Sequence, residues 1–192
     1  MTPRAILLAA LVVTGTAVAR ADEFGTRVVA AADAQTSQPV VYDGSSRRIP
    51  YPGGDVPANV GVCTDVVIRA YRALGIDLQQ RVHEDMRAAF STYPRLWGMR
   101  APDPNIDHRR VPNLQTFLRR RGPARRVSSD PAAYAPGDLV TWMLPGNLPH
   151  IGVVSDQRSP DGTRPLIVHN IGRGPEVEDM LFEYTITGVF RY

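Results

Sequence analysis

The chain has 192 residues, 43% hydrophobic and 21% charged, the proportions of an ordinary folded protein, which exclude disordered, collagen-like and coiled-coil chains. That length suffices for one domain whose core needs neither disulfide nor metal. All 22 basic residues are arginine, so every mechanism built on a lysine amine is excluded.

Residues Met1 to Ala21 combine a basic start at Arg4, an apolar run from Ala5 to Val13, and the small-residue ending Ala17-Val18-Ala19-Arg20-Ala21. This pattern predicts a secretory signal peptide spanning 1–21 and a secreted or periplasmic protein. Cleavage after Ala21 removes Arg4 and Arg20 and no acid, which lowers the formal charge of +3 to about +1. Nucleic acid is therefore not an expected partner. No later stretch approaches about 20 apolar residues, so stable membrane insertion is not expected. An exported chain with one cysteine, Cys63, cannot close an internal disulfide.

Residues 22–45 are rich in Ala, Thr, Ser and Gln without a firm period and are expected to form a surface extension, with a helical turn or two at Arg27 to Ala32. A single domain is expected over 46–192. From Val62 to Leu74 the apolar positions Val62, Val66, Val67, Ala70, Tyr71 and Leu74 recur at helical spacing, with Gly75 placed to end the helix. A helical insertion at about 77–135 follows, with helices over Asp77 to Tyr93 and Val111 to Arg121 flanking an irregular stretch from Pro94 to Pro112. The arginine run from Arg119 to Arg126 reads as a solvated face. Strands are expected at Leu139 to Leu144, His150 to Ser155, Leu166 to Ile171 and Ile186 to Tyr192, the first two forming a hairpin. A helix followed by antiparallel strands is an α+β pattern.

Cys63 falls in the first turn of its helix, where unpaired backbone N–H groups and the macrodipole favour thiolate over thiol. A thiolate nucleophile needs an imidazole as base and a third polar group to orient that imidazole. His150 opens a strand and shares one face of it with Gly152 and Val154; on the next strand His169 and Asn170 lie on opposite faces, and either could orient His150. His83-Glu84-Asp85 and Asp107-His108 are weak metal-ligand patterns, since Arg87 stands where a zincin helix needs its second histidine, and neither a metal nor another cofactor is expected.

The order Gly61-Val62-Cys63-Thr64-Asp65-Val66-Val67, Pro136-Gly137-Asp138-Leu139-Val140, His150-Ile151-Gly152-Val153-Val154 and Ile167-Val168-His169 resembles the NlpC/p60 cysteine peptidases and amidases of the papain-like group. The resemblance implies Cys63 as nucleophile, His150 as base and His169 as its orienting partner. It also implies a papain-like fold in which the helix carrying the cysteine packs on a small antiparallel sheet. Gly61-Val62-Cys63-Thr64-Asp65, Asn105-Ile106-Asp107-His108-Arg109-Arg110 and His169-Asn170-Ile171-Gly172 resemble, more closely, a bacterial domain-of-unknown-function family numbered 1287. The chain departs from the NlpC/p60 pattern in having Val62-Cys63-Thr64-Asp65 where that family has Asp-Cys-Ser.

Candidate substrate contacts are Tyr51, by likeness to the tyrosine upstream of the NlpC/p60 nucleophile, together with Asp65, His108, Arg109 and Asn170. An arginine fork at Arg109 could hold a carboxylate. The expected activity is cleavage of an amide bond in peptidoglycan stem peptide through a Cys63 acyl-enzyme; a non-catalytic wall- or protein-binding module on the same fold is the alternative.

Overall fold

A computed structural model describes residues 23–122 and 124–192. The expected signal peptide lies outside the described residues. Four helices are described: α1 (residues 23–33), α2 (Cys63–Ala73), α3 (Leu78–Ala89) and α4 (Val111–Arg121). Seven strands accompany them: β1 (Val41–Tyr42), β2 (Val60–Gly61), β3 (Leu139–Leu144), β4 (Leu148–Arg158), β5 (Pro165–His169), β6 (Glu176–Glu178) and β7 (Thr185–Phe190). No described helix is long and apolar enough to cross a membrane.

Strands β3 to β7 form one antiparallel sheet in the order β6-β5-β4-β3-β7. Side chains alternate across it with period two. Leu139, Ile151, Val153, Val168 and Phe190 face the helices, where Val66, Val67, Tyr71, Val82, Leu114 and Phe117 meet them. Val140, Trp142, Val154, Ile167 and Val189 face the other way, under Tyr134, Met180 and Leu181. Both faces are covered, which is why Leu139 and Val140, Val153 and Val154, and Ile167 and Val168 are adjacent apolar pairs. The architecture is α+β, with the helix that carries the cysteine packed on an antiparallel sheet.

Of the expected surface extension at 22–45, residues 34–45 are exposed or half-buried, whereas the helix before them packs into the core. Helix α1 buries Val28, Val29 and Ala32 in the helical-side core, and Phe24 packs edge-on against Tyr71 at 5.9 Å. β1 then pairs in parallel with β2, Val41 against Val60 and Tyr42 against Gly61, which brings Tyr42 beside the segment that leads into Cys63. β4 starts two residues earlier than expected and runs three further, because the hairpin turn is only 145–147 and is closed by left-handed backbone at Gly146 and Asn147.

Local chemistry fixes where α2 begins. Val62 is extended, and the Asp65 carboxylate accepts the Val62 N–H at 2.7 Å, so an acid in the first turn satisfies a donor and complements the dipole. Cys63 is the first residue after that cap. In the insertion, the Asp77 carboxylate accepts the Gln80 N–H to start α3, and Pro112 opens α4. Arg120 and Arg121, from the arginine run, clamp the Asp85 carboxylate at 2.6 and 3.1 Å.

Candidate active site

His150 follows the hairpin turn on β4, paired in register with Trp142, whose ring centroid lies 6.0 Å away. Its Nε2 is 3.0 Å from Nδ1 of His169, and Nε2 of His169 is in turn 3.0 Å from Oε2 of Glu178. His150 and His169 are 2% and 0% exposed. An ionised carboxylate can only accept, so Glu178 takes the proton on His169 Nε2; His169 Nδ1 must then accept from His150 Nε2, which leaves the lone pair of His150 on Nδ1. A chain of three side chains thus sets one tautomer. Of the two orienting candidates, His169 makes the contact. Asn170 turns the other way and accepts the N–H groups of Gly172 and Gly174 at 3.0 and 3.3 Å, shaping the turn that carries the chain toward β6.

Gly152 is what allows the two imidazoles to meet. A Cβ there would lie 2.6 Å from Ile167 Cγ2, 3.0 Å from the Val168 carbonyl oxygen and 3.1 Å from His169 Cβ. Any side chain would push His169 off the strand and away from His150.

The Cys63 sulfur lies near the backbone N–H groups of Ile151, Thr64 and its own residue, which favour its ionised form, and near the Tyr42 hydroxyl. The thiol therefore meets β4 at the residue next to His150. A thiol–imidazole hydrogen bond is not among the contacts of the described residues: His150 rises from the face of the sheet that carries Trp142, whereas Cys63 belongs to the core on the opposite face, with Ile151 and Val153. Burial pushes the thiol up to about 12, and the Asp65 charge adds to this, against the N–H groups that lower it. The resting sulfur is a thiol and not the thiolate that its helix position suggested, because loss of hydration outweighs the dipole. Burial likewise lowers His150 to about 3, with the neighbouring His169 adding to the effect. For His169 burial also prevails, lowering it against the attraction of Glu178. The resting pair is neutral.

Cys63 lines an open cleft of about 370 Å³ together with Tyr42, Ser46, Trp97, Arg110 and Pro149, among others. The expected substrate contacts divide on this geometry. Tyr51 is not in the cleft; its ring packs against His83 at 5.1 Å, and Tyr42 holds the place beside the sulfur. Arg109 touches the cleft, but its guanidinium is engaged: Nε and Nη2 donate to the two oxygens of Asp65 at 2.9 Å each, and Nη1 and Nη2 reach the carbonyls of Ser45 and Asp43. Asp65 is consumed by the same pair and by the α2 cap. The expected carboxylate fork at Arg109 is thus already filled from within the protein. His108 is buried, its Nδ1 has no partner among the described residues, and burial lowers it to about 3; it lies outside the cleft. His83 Nδ1 is 3.3 Å from Asp107 Oδ2.

Sequence reasoning missed Tyr42 and Glu178. The alternation Glu176-Val177-Glu178 carries the strand period but over three residues only, and β1 over two. His169, Glu176 and Glu178 bring their ligand atoms within 4.8 Å of one another, a spacing that suits a cation. Arg173 donates to both glutamates and supplies the positive charge there.

A family model described as Domain of unknown function (DUF1287) matches residues 29–192. The chain is 51% identical over 158 residues to "Uncharacterized protein YijF" of Escherichia coli (strain K12), a span that covers 82% of this chain and 77% of that one. Among solved structures, "Structure of NlpC1 from Trichomonas vaginalis" superposes with a TM-score of 0.46 at 15% identity; the match covers 88% of this chain and 44% of that one.

Proposed function

We propose that this chain, which belongs to the DUF1287 family, is an exported thiol hydrolase that cleaves an amide bond in cell-wall peptide, with Cys63 as nucleophile and His150 as base. The observation that carries the reading is the ordered series Glu178–His169–His150. It leaves a proton acceptor at His150 Nδ1, one residue along the strand from the N–H that holds the Cys63 sulfur. A helix start, an open cleft and a base so prepared are the parts that acyl transfer requires.

The reaction follows from the neutral resting pair. The reaction requires the Cys63 sulfur to leave the Ile151 N–H and the two side chains to meet at His150 Nδ1, a contact that the resting structure does not contain. As sulfur attacks the carbonyl carbon, its proton passes to His150, and the imidazolium is stabilised by the negative charge of the tetrahedral intermediate and, through His169, by Glu178. The backbone N–H of Cys63 and that of Ile151, vacated by sulfur, are donors for the oxyanion. Collapse breaks the C–N bond, and the amine leaves with the proton from His150. Water then gives a proton to His150 and attacks the thioester; the acid departs, and the proton returns to sulfur.

Release of peptides from purified peptidoglycan, followed by mass analysis, tests this. Cys63→Ala is expected to abolish release while leaving the fold intact, a loss of several orders of magnitude; retained turnover refutes the mechanism. One observation favours a second reading, a binding module on the same fold: the thiol is protonated, buried and not hydrogen-bonded to His150. That reading expects wall binding without product and equal binding by Cys63→Ala.

A further inference from the structure

The cleft holds a cation that no carboxylate among the described residues neutralises. Arg109 and Arg110 are the charged residues that line it, and Arg109 is spent on Asp65. Arg110 has no carboxylate partner among the described residues: its contacts are the Trp97 ring, 4.9 Å from the guanidinium carbon to the centroid, and the Met99 sulfur, 3.4 Å from Nη1. Stacking on an indole holds the guanidinium plane in place and leaves its donors directed elsewhere. Trp97 is 60% exposed and has φ +56°, a backbone state that bulky side chains rarely adopt, so a large aromatic is held at the cleft mouth at a local cost. Among the described residues, no acidic side chain lines the cleft. A planar cation on an exposed aromatic, lining the same cleft as Cys63 and without a carboxylate partner among the described residues, has the chemistry to receive a carboxylate.

We infer that Arg110, stacked on Trp97, binds a free carboxylate of the peptide beside the scissile amide, making this protein selective for anionic peptides over their amidated forms. The inference rests on the reading of the cleft as a peptide site and names the chemistry of what enters it. The fork moves one residue along the chain from Arg109 because Arg109 faces the α2 cap, whereas Arg110 is the first residue before α4 and projects into the open cleft.

The test separates binding from turnover. The full chain carrying Cys63→Ala is titrated calorimetrically with a diaminopimelate stem tetrapeptide and with the same peptide in which the carboxylates are carboxamides. The acid form is expected to bind at least tenfold tighter, with an advantage that shrinks as salt is raised, and Arg110→Gln is expected to reduce the advantage below threefold. Arg110→Lys, which keeps the charge and loses the planar fork, falls between. Because Trp142 is buried and its Nε1 donates to the Leu181 carbonyl, a fluorescence change on binding reports Trp97, and Trp97→Phe removes it. Equal affinity for the two peptides, an advantage that survives Arg110→Gln, or no binding of either form overturns the inference. Binding with the expected preference but no hydrolysis by the unmutated chain removes the catalytic reading and leaves the carboxylate site standing.

Discussion

Glu178 fixes the tautomer of His169: its Oε2 lies 3.0 Å from Nε2, and the only role left to the other ring nitrogen is to accept from His150. In the proposed mechanism Glu178 is therefore a positioning residue that acts on His150 through one intermediary. Glu178→Gln keeps the shape but can present either an oxygen or an amide group to His169, so the tautomer is no longer imposed. Peptide release should fall about tenfold to a hundredfold through kcat, with KM unchanged and the melting temperature little altered. A matching fall in stability would mean that Glu178 does no more than pin β6 to β5.

The ion pair between Asp65 and Arg109 belongs to the fold. Both side chains are 2% exposed, and the pair ties the N-terminus of α2 to the insertion and to the segment after β1. Removing one partner strands a buried charge. Arg109→Ala should cost about 3–5 kcal/mol in denaturant unfolding, while binding of the amidated stem peptide per folded molecule stays unchanged. A variant of normal stability with weakened peptide binding would restore Arg109 as a contact.

Sequence reasoning reached the elements with long, unbroken periods. The helical spacing of Val66, Val67, Ala70 and Tyr71 located α2 to within a residue, and the apolar runs of β3 and β7 emerged for the same reason. It failed where order comes from partners distant in the chain. In α1, Phe24, Val28 and Ala32 do follow a helical period, but alanine and threonine around them hide it until Tyr71 is present to pack against. The two residues of β1 have no period at all, which concealed Tyr42. At the site, Cys63, His150 and His169 were legible as types in an order, but the state of the thiol was not: helix position and burial act in opposite directions, and only the packed structure shows that burial is larger. Arg109 and Arg110 are indistinguishable as adjacent letters; the 2.9 Å bonds to Asp65 tell them apart.

Acid should destabilise the fold through its buried imidazoles. His150 and His108 are lowered to about 3 in the folded chain, whereas an exposed histidine titrates near 6.5. Between those values the unfolded chain binds protons that the folded chain refuses, so stability is complete above about 6.5 and declines as pH falls toward 3. The slope contributed by each group is at most about 1.4 kcal/mol per pH unit. His108→Leu removes one such group along with an unpartnered buried nitrogen. Urea unfolding from pH 7 to pH 4 should show a shallower decline in this variant than in the parent; parallel curves would mean that His108 is hydrated in solution.

The central claim is that His150 removes the proton from Cys63, and the rate of alkylation of Cys63 by iodoacetamide as a function of pH tests it most directly, because no substrate need be known. With an imidazole lone pair available to the thiol, the unmutated protein should react at least tenfold faster than His150→Gln near pH 6.5, with the two converging as pH approaches the thiol's own raised range. Superimposable profiles, or a sulfur that resists the reagent in both proteins, would contradict it.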